Sequence, residues 1–278
     1  MENKTVNVGV KCFFKGDLAP SKKSLVLDLC DRLNAIAKCK FHFNIEGTNK
    51  LTRMQKYTRM DLLNELEFAI EQKYKYLYLD GPYAVSYREE ERILDASIDL
   101  YREKDSTLTF ECMAMLPNVK VPIELFFKFA ATLLNCQYGV IFINDSYAYM
   151  LHELSGLPGS YLHDYSEETR LWEKELKFYR RSEDMYSNYI RKAYWGNFLN
   201  AIHVSGLGGF DLIRRDAPAF LVEELPDGGA YIQLMESPYD FFEPDYKERL
   251  IKLDDYLSPI ILPGRPEVQW DYYDIKRF

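Results

Sequence analysis

The sequence lacks most of the features that mark exported proteins and metal enzymes. It holds only four histidines and five cysteines, with no Cys-x-x-Cys or His-Glu-x-x-His motif. It has no apolar run long enough to cross a membrane, and its start shows no apolar signal-peptide core. We therefore expect a soluble, cytoplasmic protein with reduced thiols, no visible export signal and no membrane partner.

Common catalytic motifs are missing as well. The segments around Ser155 and Ser205 do not form the Gly-x-Ser-x-Gly elbow of a serine hydrolase. Gly206-Leu207-Gly208-Gly209 lacks the Lys-Ser/Thr of a phosphate loop, so we interpret it as the end of a helix. The spacing of His152 and His163 suits no zinc site on a helix. We expect no catalytic residues, no cofactor and no metal.

Charge and aromatic content bear on the kind of partner. The net charge is -8, from 43 acidic and 35 basic residues, which disfavours direct binding to nucleic acid. An acidic surface suits a partner with a basic surface, although it also serves ordinary solubility. The 22 tyrosines suit either half-buried packing or protein interfaces. The oligomeric state is left open.

Hydrophobic periodicity predicts alternating strands and helices. In the first half, the predicted strands are Val6–Phe14, Cys39–Ile45, Tyr74–Leu79 and the hairpin Ser97–Tyr101 with Thr107–Ala114, and the predicted helices are Ser21–Ala37, Met60–Gln72 and Pro122–Leu134. In the second half, we predict a strand at Tyr138–Ile143, a hairpin of Ala219–Glu224 with Ala230–Met235, and a helix from Glu243-Pro244-Asp245 to Leu257.

The order of these elements predicts an α+β fold, with a mixed or largely antiparallel sheet and helices packed on it. Three stretches, Val8–Ile36, Phe110–Leu134 and Tyr231–Leu257, each read as strand, loop and helix. They are either weak repeats of a β-loop-α unit or a coincidence. The charged, tyrosine-rich segment Tyr147–Tyr194 is either a boundary between two modules or a surface excursion of one domain.

The C-terminal third carries a family resemblance. The segments that carry it are Tyr194-Trp195-Gly196-Asn197-Phe198-Leu199, His203-Val204, Leu207-Gly208-Gly209, Val222-Glu223, Asp227-Gly228-Gly229, Tyr231-Ile232-Gln233-Leu234 and Ser237-Pro238-Tyr239-Asp240. In order and spacing they resemble the bacterial type VI secretion immunity family for VRR-Nuc nuclease toxins. Looser similarity continues upstream through Thr109–Pro117, Pro122–Leu134, Cys136–Asn144 and Tyr161-Leu162-His163-Asp164.

The resemblance implies one immunity-type domain over residues 1–278, with a subdivision near 147–190 as an alternative. It implies a protein that is not an enzyme and that neutralises a cognate type VI secretion DNase effector of the PD-(D/E)XK type in bacterial competition. The recurrent family positions are expected to fix turns and packing; here they are Trp195, Gly196, Leu207, Gly208, Gly209, Gly228, Gly229 and Gln233.

We expect inhibition by occlusion, because an acidic surface with aromatic anchors can cover a basic DNA cleft or active site. The predicted partner-binding residues surround the hairpin and its exit, and they are Glu223, Glu224, Asp227, Tyr239, Asp240 and Glu243. Two other hypotheses for the function stay open. The chain is either an uncharacterised α+β enzyme or an interaction protein for a partner that is not a nuclease.

Overall fold

The computed structural model describes residues 6–15, 28, 31, 46–47, 50–51, 76–81, 95–102, 108–117, 128, 136–145, 153, 167–182 and 185–270. The chain divides into two compact units, one of residues 10–136 and one of residues 1–9 with 137–278. The expectation of a single domain, with a subdivision near 147–190, stays a prediction.

Four strands lie in the order β4, β5, β6, β1, and apart from residues 7–9 of β1 they belong to the unit of residues 10–136. Their bounds are Asn7–Lys15 for β1, Tyr76–Gly81 for β4, Asp95–Arg102 for β5 and Leu108–Pro117 for β6. β4 pairs antiparallel with β5, and β5 pairs antiparallel with β6. Two short strands, β2 at Glu46–Gly47 and β3 at Lys50–Leu51, form a separate antiparallel pair.

These strands confirm three predictions in the first half of the chain: the strand at Val6–Phe14, the strand at Tyr74–Leu79 and the hairpin of Ser97–Tyr101 with Thr107–Ala114. Asp28, Asp31 and Lys128 are helical, as predicted for the helices that contain them. The predicted strand Cys39–Ile45 and helix Met60–Gln72 lie outside the described residues.

In the C-terminal unit, four antiparallel strands lie in the order β7, β8, β10, β9. Their bounds are Tyr138–Asn144 for β7, Gly196–Leu199 for β8, Leu221–Glu224 for β9 and Ala230–Gln233 for β10. Every residue of β7, β8 and β10 is buried, whereas β9 at the end of this order is partly exposed. Because neighbouring residues of a strand face opposite sides, both faces of these three strands are covered.

The helices of this unit are α1 at Glu167–Arg181, α2 at Ala201–Gly206, α3 at Phe210–Asp216 and α4 at Tyr246–Tyr256, with 3-10 turns at Pro238–Phe242 and Ser258–Ile260. Helix α1 buries Trp172, Leu176 and Tyr179, and α4 buries Tyr246, Leu250 and Leu253. Both sets recur every three to four residues, so each helix turns one apolar stripe inward.

Two interpretations of local sequence are confirmed here. Helix α2 ends at Gly206, and the amide of Gly209 closes it by donating to the Val204 carbonyl at 2.9 Å. Gly208 and Gly209 have φ of 89° and 102°, which glycine adopts at little cost. The helix predicted to follow Glu243-Pro244-Asp245 is α4.

The fold is therefore α+β, as predicted. The stretch Tyr231–Leu257 is a β-loop-α unit: β10, a loop with a 3-10 turn, and α4. The helices of Val8–Ile36 and Phe110–Leu134 lie mostly outside the described residues, so an internal repeat stays a prediction.

Candidate partner-binding surface

The predicted hairpin is present, and its turn is fixed by glycine geometry. β9 pairs with β10 so that Glu224 lies opposite Ala230 and Leu221 opposite Gln233. Gly228 has φ of 80°, and a Cβ added at Gly229 would lie 2.5 Å from the Leu199 carbonyl oxygen. Only glycine fits this close approach of two backbones, so the turn is held against the end of β8.

Three of the predicted contact residues lie at the turn end of the hairpin. Glu223, Glu224 and Asp227 are all exposed. The Asp227 carboxylate also accepts a hydrogen bond from the Gly229 amide at 3.0 Å. Asp227 therefore orders the turn while it presents charge to solvent.

Of the other three predicted residues, Tyr239 and Asp240 lie in the 3-10 turn that follows β10, and Glu243 directly follows that turn. Asp240 accepts from the Ser237 amide at 2.8 Å, and the Ser237 hydroxyl accepts from the Tyr239 amide at 3.2 Å. This capping arrangement fixes the turn and leaves the Tyr239 side chain 46% exposed. Glu243 is exposed at the end of the turn.

The strand register separates these two groups. Glu224 lies beside the turn, whereas Leu221 lies beside Gln233, four residues before Ser237. The step from Glu224 to Leu221 is three residues of β-strand, which span about 10 Å. The residues at the turn and those at the exit therefore lie at opposite ends of the hairpin. The structure thus places the six predicted residues on one hairpin and its exit, but it gathers them at two ends.

Sequence reasoning missed a groove of about 600 Å³ at the exit end, which we call the Phe220 groove. Residues 217–220 form one wall of the groove. Leu234 and Met235, which are almost fully buried, also border it, and Asp240 and the start of α4 contribute the polar side. The Phe220 side chain is 55% exposed. The sequence feature that could have pointed to this groove is an aromatic residue, Phe220, directly after the Ala217-Pro218-Ala219 turn that follows α3.

Two aromatic residues of the C-terminal unit belong to its core. Phe241 and Trp195 are each only 1% exposed. Phe241 packs edge-to-face on Tyr246 with ring centroids 5.1 Å apart, which ties the 3-10 turn to α4.

A second feature missed by sequence reasoning is a buried ionic cluster, which we call the Lys192 cluster. The Lys192 ammonium lies 2.7 Å from Glu175 and 3.1 Å from Glu153, and all three side chains are at most 2% exposed. Burial alone would lower the pKa of Lys192, but attraction to the two carboxylates raises that pKa above its ordinary value.

The four carboxylate oxygens of the Lys192 cluster are all used. Glu153 accepts from the Tyr194 hydroxyl at 2.7 Å and from the Trp172 indole at 3.0 Å. Glu175 accepts from Lys192 through one oxygen and from the Gln269 amide through the other, at 3.2 Å. Burial would raise the pKa of Glu153, but Lys192 and these donors lower it overall. The cluster therefore holds elements of the core together and does not border the Phe220 groove.

A bidentate ion pair lies near this cluster. Arg265 donates to both oxygens of Asp254 at 2.9 and 2.8 Å, and the Ala193 amide donates to Asp254 at 2.8 Å. Since Asp254 belongs to α4 and Ala193 directly follows Lys192, the pair fixes the C-terminal helix to the segment that enters β8.

His203 is a structural histidine. It lies in α2, fully buried, and its Nδ1 accepts from the Asn200 amide at 3.3 Å while Asn200 caps the helix through the His203 amide at 2.9 Å. Burial lowers the pKa of His203 to about 4, although the carbonyls of Tyr189 and Tyr186 partly oppose the shift. The other three histidines lie outside the described residues.

No group of three His, Cys, Asp or Glu side chains among the described residues is placed to hold a metal ion. In the same part of the chain, no helix has the length and apolar character needed to span a bilayer. Cys12 and Cys136 are buried, and the Cys136 thiol donates to the Phe13 carbonyl at 3.3 Å.

The chain is similar to a solved structure over almost its whole length. The fold is similar to that of the Pseudomonas aeruginosa T6SS protein PA0821, with a TM-score of 0.59 and 13% identity, over 99% of this chain and 83% of that one. At this identity the likeness shows a shared α+β fold. No protein-family model matches the chain. No curated protein matches it at a significant level.

Proposed function

We propose that this chain is an immunity protein of a type VI secretion system, which binds a cognate VRR-Nuc DNase effector and covers its DNA-binding or active-site surface. The observation that carries the proposal is the fold shared with a T6SS protein over 99% of the chain. The residue pattern from Tyr194 to Asp240, which resembles the VRR-Nuc immunity family, supports the finer assignment. On this proposal the chain acts in the cytoplasm and is not an enzyme.

The hairpin supplies the means of inhibition. A nuclease cleft that binds DNA must be basic, since most affinity for nucleic acid comes from cations that neutralise phosphates. Glu223, Glu224 and Asp227 stand exposed on a turn whose backbone is fixed by Gly228 and Gly229. Carboxylates held on a rigid turn can compete with phosphates without a large cost in ordering.

Co-expression tests the proposal directly. A bacterial strain that expresses the VRR-Nuc effector encoded beside this chain should stop growing and degrade its DNA. Co-expression of this chain should restore growth and keep the chromosomal DNA intact, measured by colony counts and agarose gels. A catalytically inactive effector serves as the control for expression load. Growth arrest that persists with both soluble proteins present, or a gene neighbourhood without any such effector, would overturn the proposal.

Charge changes at the turn should weaken binding to that effector. We expect Glu223→Lys and Glu224→Lys combined with Asp227→Asn to lower affinity by about tenfold or more, because basic groups of the effector would lose their partners. Asp227→Asn keeps the oxygen that accepts from Gly229. Titration calorimetry at about 50 and 500 mM salt should show the difference from wild type shrinking at high salt, since salt screens exposed charges.

The matched control for these charge changes is Asp255→Lys with Glu267→Lys, two exposed acidic positions outside the hairpin. These two substitutions raise the net charge by four, close to the rise of five that the three changes at the turn produce. If both sets weaken binding equally, the effect is one of overall charge, and the hairpin turn is not the contact surface.

A further inference from the structure

The Phe220 groove combines a fixed aromatic anchor with an acidic rim. The Phe220 amide donates to the carbonyls of Gln233 and Leu234 at 3.0 and 3.2 Å, so its backbone is held against the end of β10. Its ring is nevertheless 55% exposed. An aromatic ring on a fixed backbone loses little entropy when a partner covers it, which is typical of the residues that dominate binding energy.

The charge around this ring is negative. The groove is lined by four carboxylates, Glu236, Asp240, Asp245 and Glu248, against two cations, Arg249 and Lys252. Both cations are engaged within α4, where Arg249 lies 2.7 Å from Asp245 and Lys252 lies 2.6 Å from Glu248. These pairs cancel, so the surplus negative charge of the lining belongs to Glu236 and Asp240, and the exposed apolar group of the groove is the Phe220 ring.

We propose that the Phe220 groove binds a basic segment of the partner protein, with an apolar side chain packed on Phe220 and a Lys or Arg side chain between Glu236 and Asp240. The partner is identified with the nuclease effector only insofar as the proposed function holds. Binding in the Phe220 groove would be a second contact with the partner, distinct from the carboxylates at the turn end of the hairpin. The partner's apolar side chain would be held at the exit end.

Labelled peptides test the groove without the effector. The probe is a ten-residue peptide of alternating Leu and Arg, compared with a Leu and Ser peptide and a Leu and Glu peptide, by fluorescence polarisation with the full chain. We expect only the Leu and Arg peptide to bind. Phe220→Ser and Glu236→Lys should each weaken its binding about tenfold or more, which equals about 1.4 kcal/mol. Ile202→Ser, at a side chain 56% exposed, and Glu267→Lys serve as matched controls and should leave binding unchanged.

The inference is overturned if the basic peptide does not bind, or if the groove variants bind it as the controls do. It is also overturned if light scattering shows a dimer that Phe220→Ser converts to a monomer, because a second copy of the chain would then fill the groove. Circular dichroism of each variant confirms that the fold is retained.

Measurements with the effector separate this inference from the proposed function. If wild type protects cells and Phe220→Ser with Glu236→Lys binds the effector as tightly, the groove inference fails and the function stands. If wild type neither binds the effector nor restores growth while the peptide results hold, the function fails and the groove remains a site for a basic segment of another partner.

Discussion

Lys192→Met should destabilise the C-terminal unit by roughly 3 to 5 kcal/mol, because removal of one member of a buried ionic cluster leaves the others without compensation. The substitution keeps much of the apolar volume of the lysine stem but leaves the carboxylates of Glu153 and Glu175 facing each other in the core. Urea unfolding at pH 7 followed by tryptophan fluorescence measures the loss. All three tryptophans, Trp172, Trp195 and Trp270, belong to this unit, so the signal reports on it.

The control for Lys192→Met is Lys177→Met. Lys177 forms an ion pair of 3.3 Å with Glu173 on the same helix, but its side chain is 51% exposed. We expect its loss to cost less than about 1 kcal/mol, since water solvates both groups of a surface pair. The double variant Lys192→Met with Glu175→Gln should recover part of the lost stability. A single Lys192→Met variant as stable as wild type would show that the cluster contributes nothing to the core.

Acidification should destabilise the same unit before the carboxylates titrate. The folded pKa of His203 is about 4, below the ordinary value of 6.5, so the unfolded chain binds a proton more readily than the folded one. This contribution to stability is complete above pH 6.5 and is lost as pH falls towards 4. Between pH 7 and pH 5 the expected loss is about 2 kcal/mol, measured as a lower urea midpoint of tryptophan fluorescence.

His203→Gln separates this effect from other titrations. Glutamine can still accept a hydrogen bond at the start of α2 but does not titrate, so the variant should lose much less stability over the same pH range. Its stability at pH 7 provides the reference for any cost of repacking. If wild type and variant respond to pH in parallel, His203 is not responsible for the acid sensitivity.

Local chemistry explains which parts of the fold could be predicted. The hairpin of residues 219–235 follows from Pro226-Asp227-Gly228-Gly229 between two apolar runs, because Asp and Gly favour this type of turn wherever it occurs. Strand β7 follows from its β-branched and aromatic run, and α4 follows from its proline-containing start. Each signal lies within a few residues of the element that it predicts.

The features that sequence reasoning missed depend on contacts between distant parts of the chain. Lys192 becomes a core residue because Glu153 and Glu175 come from other segments and supply the opposite charge. The only sequence feature that pointed to Lys192 was the charged Arg191-Lys192 pair among apolar and aromatic residues. That pattern is equally typical of an exposed segment. Phe220 is exposed and Phe241 is buried, although both are aromatic residues near acids, because the packing of α4 decides which of them is covered.

The distance between the two ends of the hairpin also affects how recognition of a partner would evolve. The turn carboxylates and the Phe220 groove lie at opposite ends of strands that span about 10 Å, beyond the range at which substitutions usually influence one another. Changes at the two ends should therefore have additive effects on the free energy of binding. A partner that altered its contact at one end would still be held at the other, so recognition could drift in single steps without passing through a variant that fails to bind.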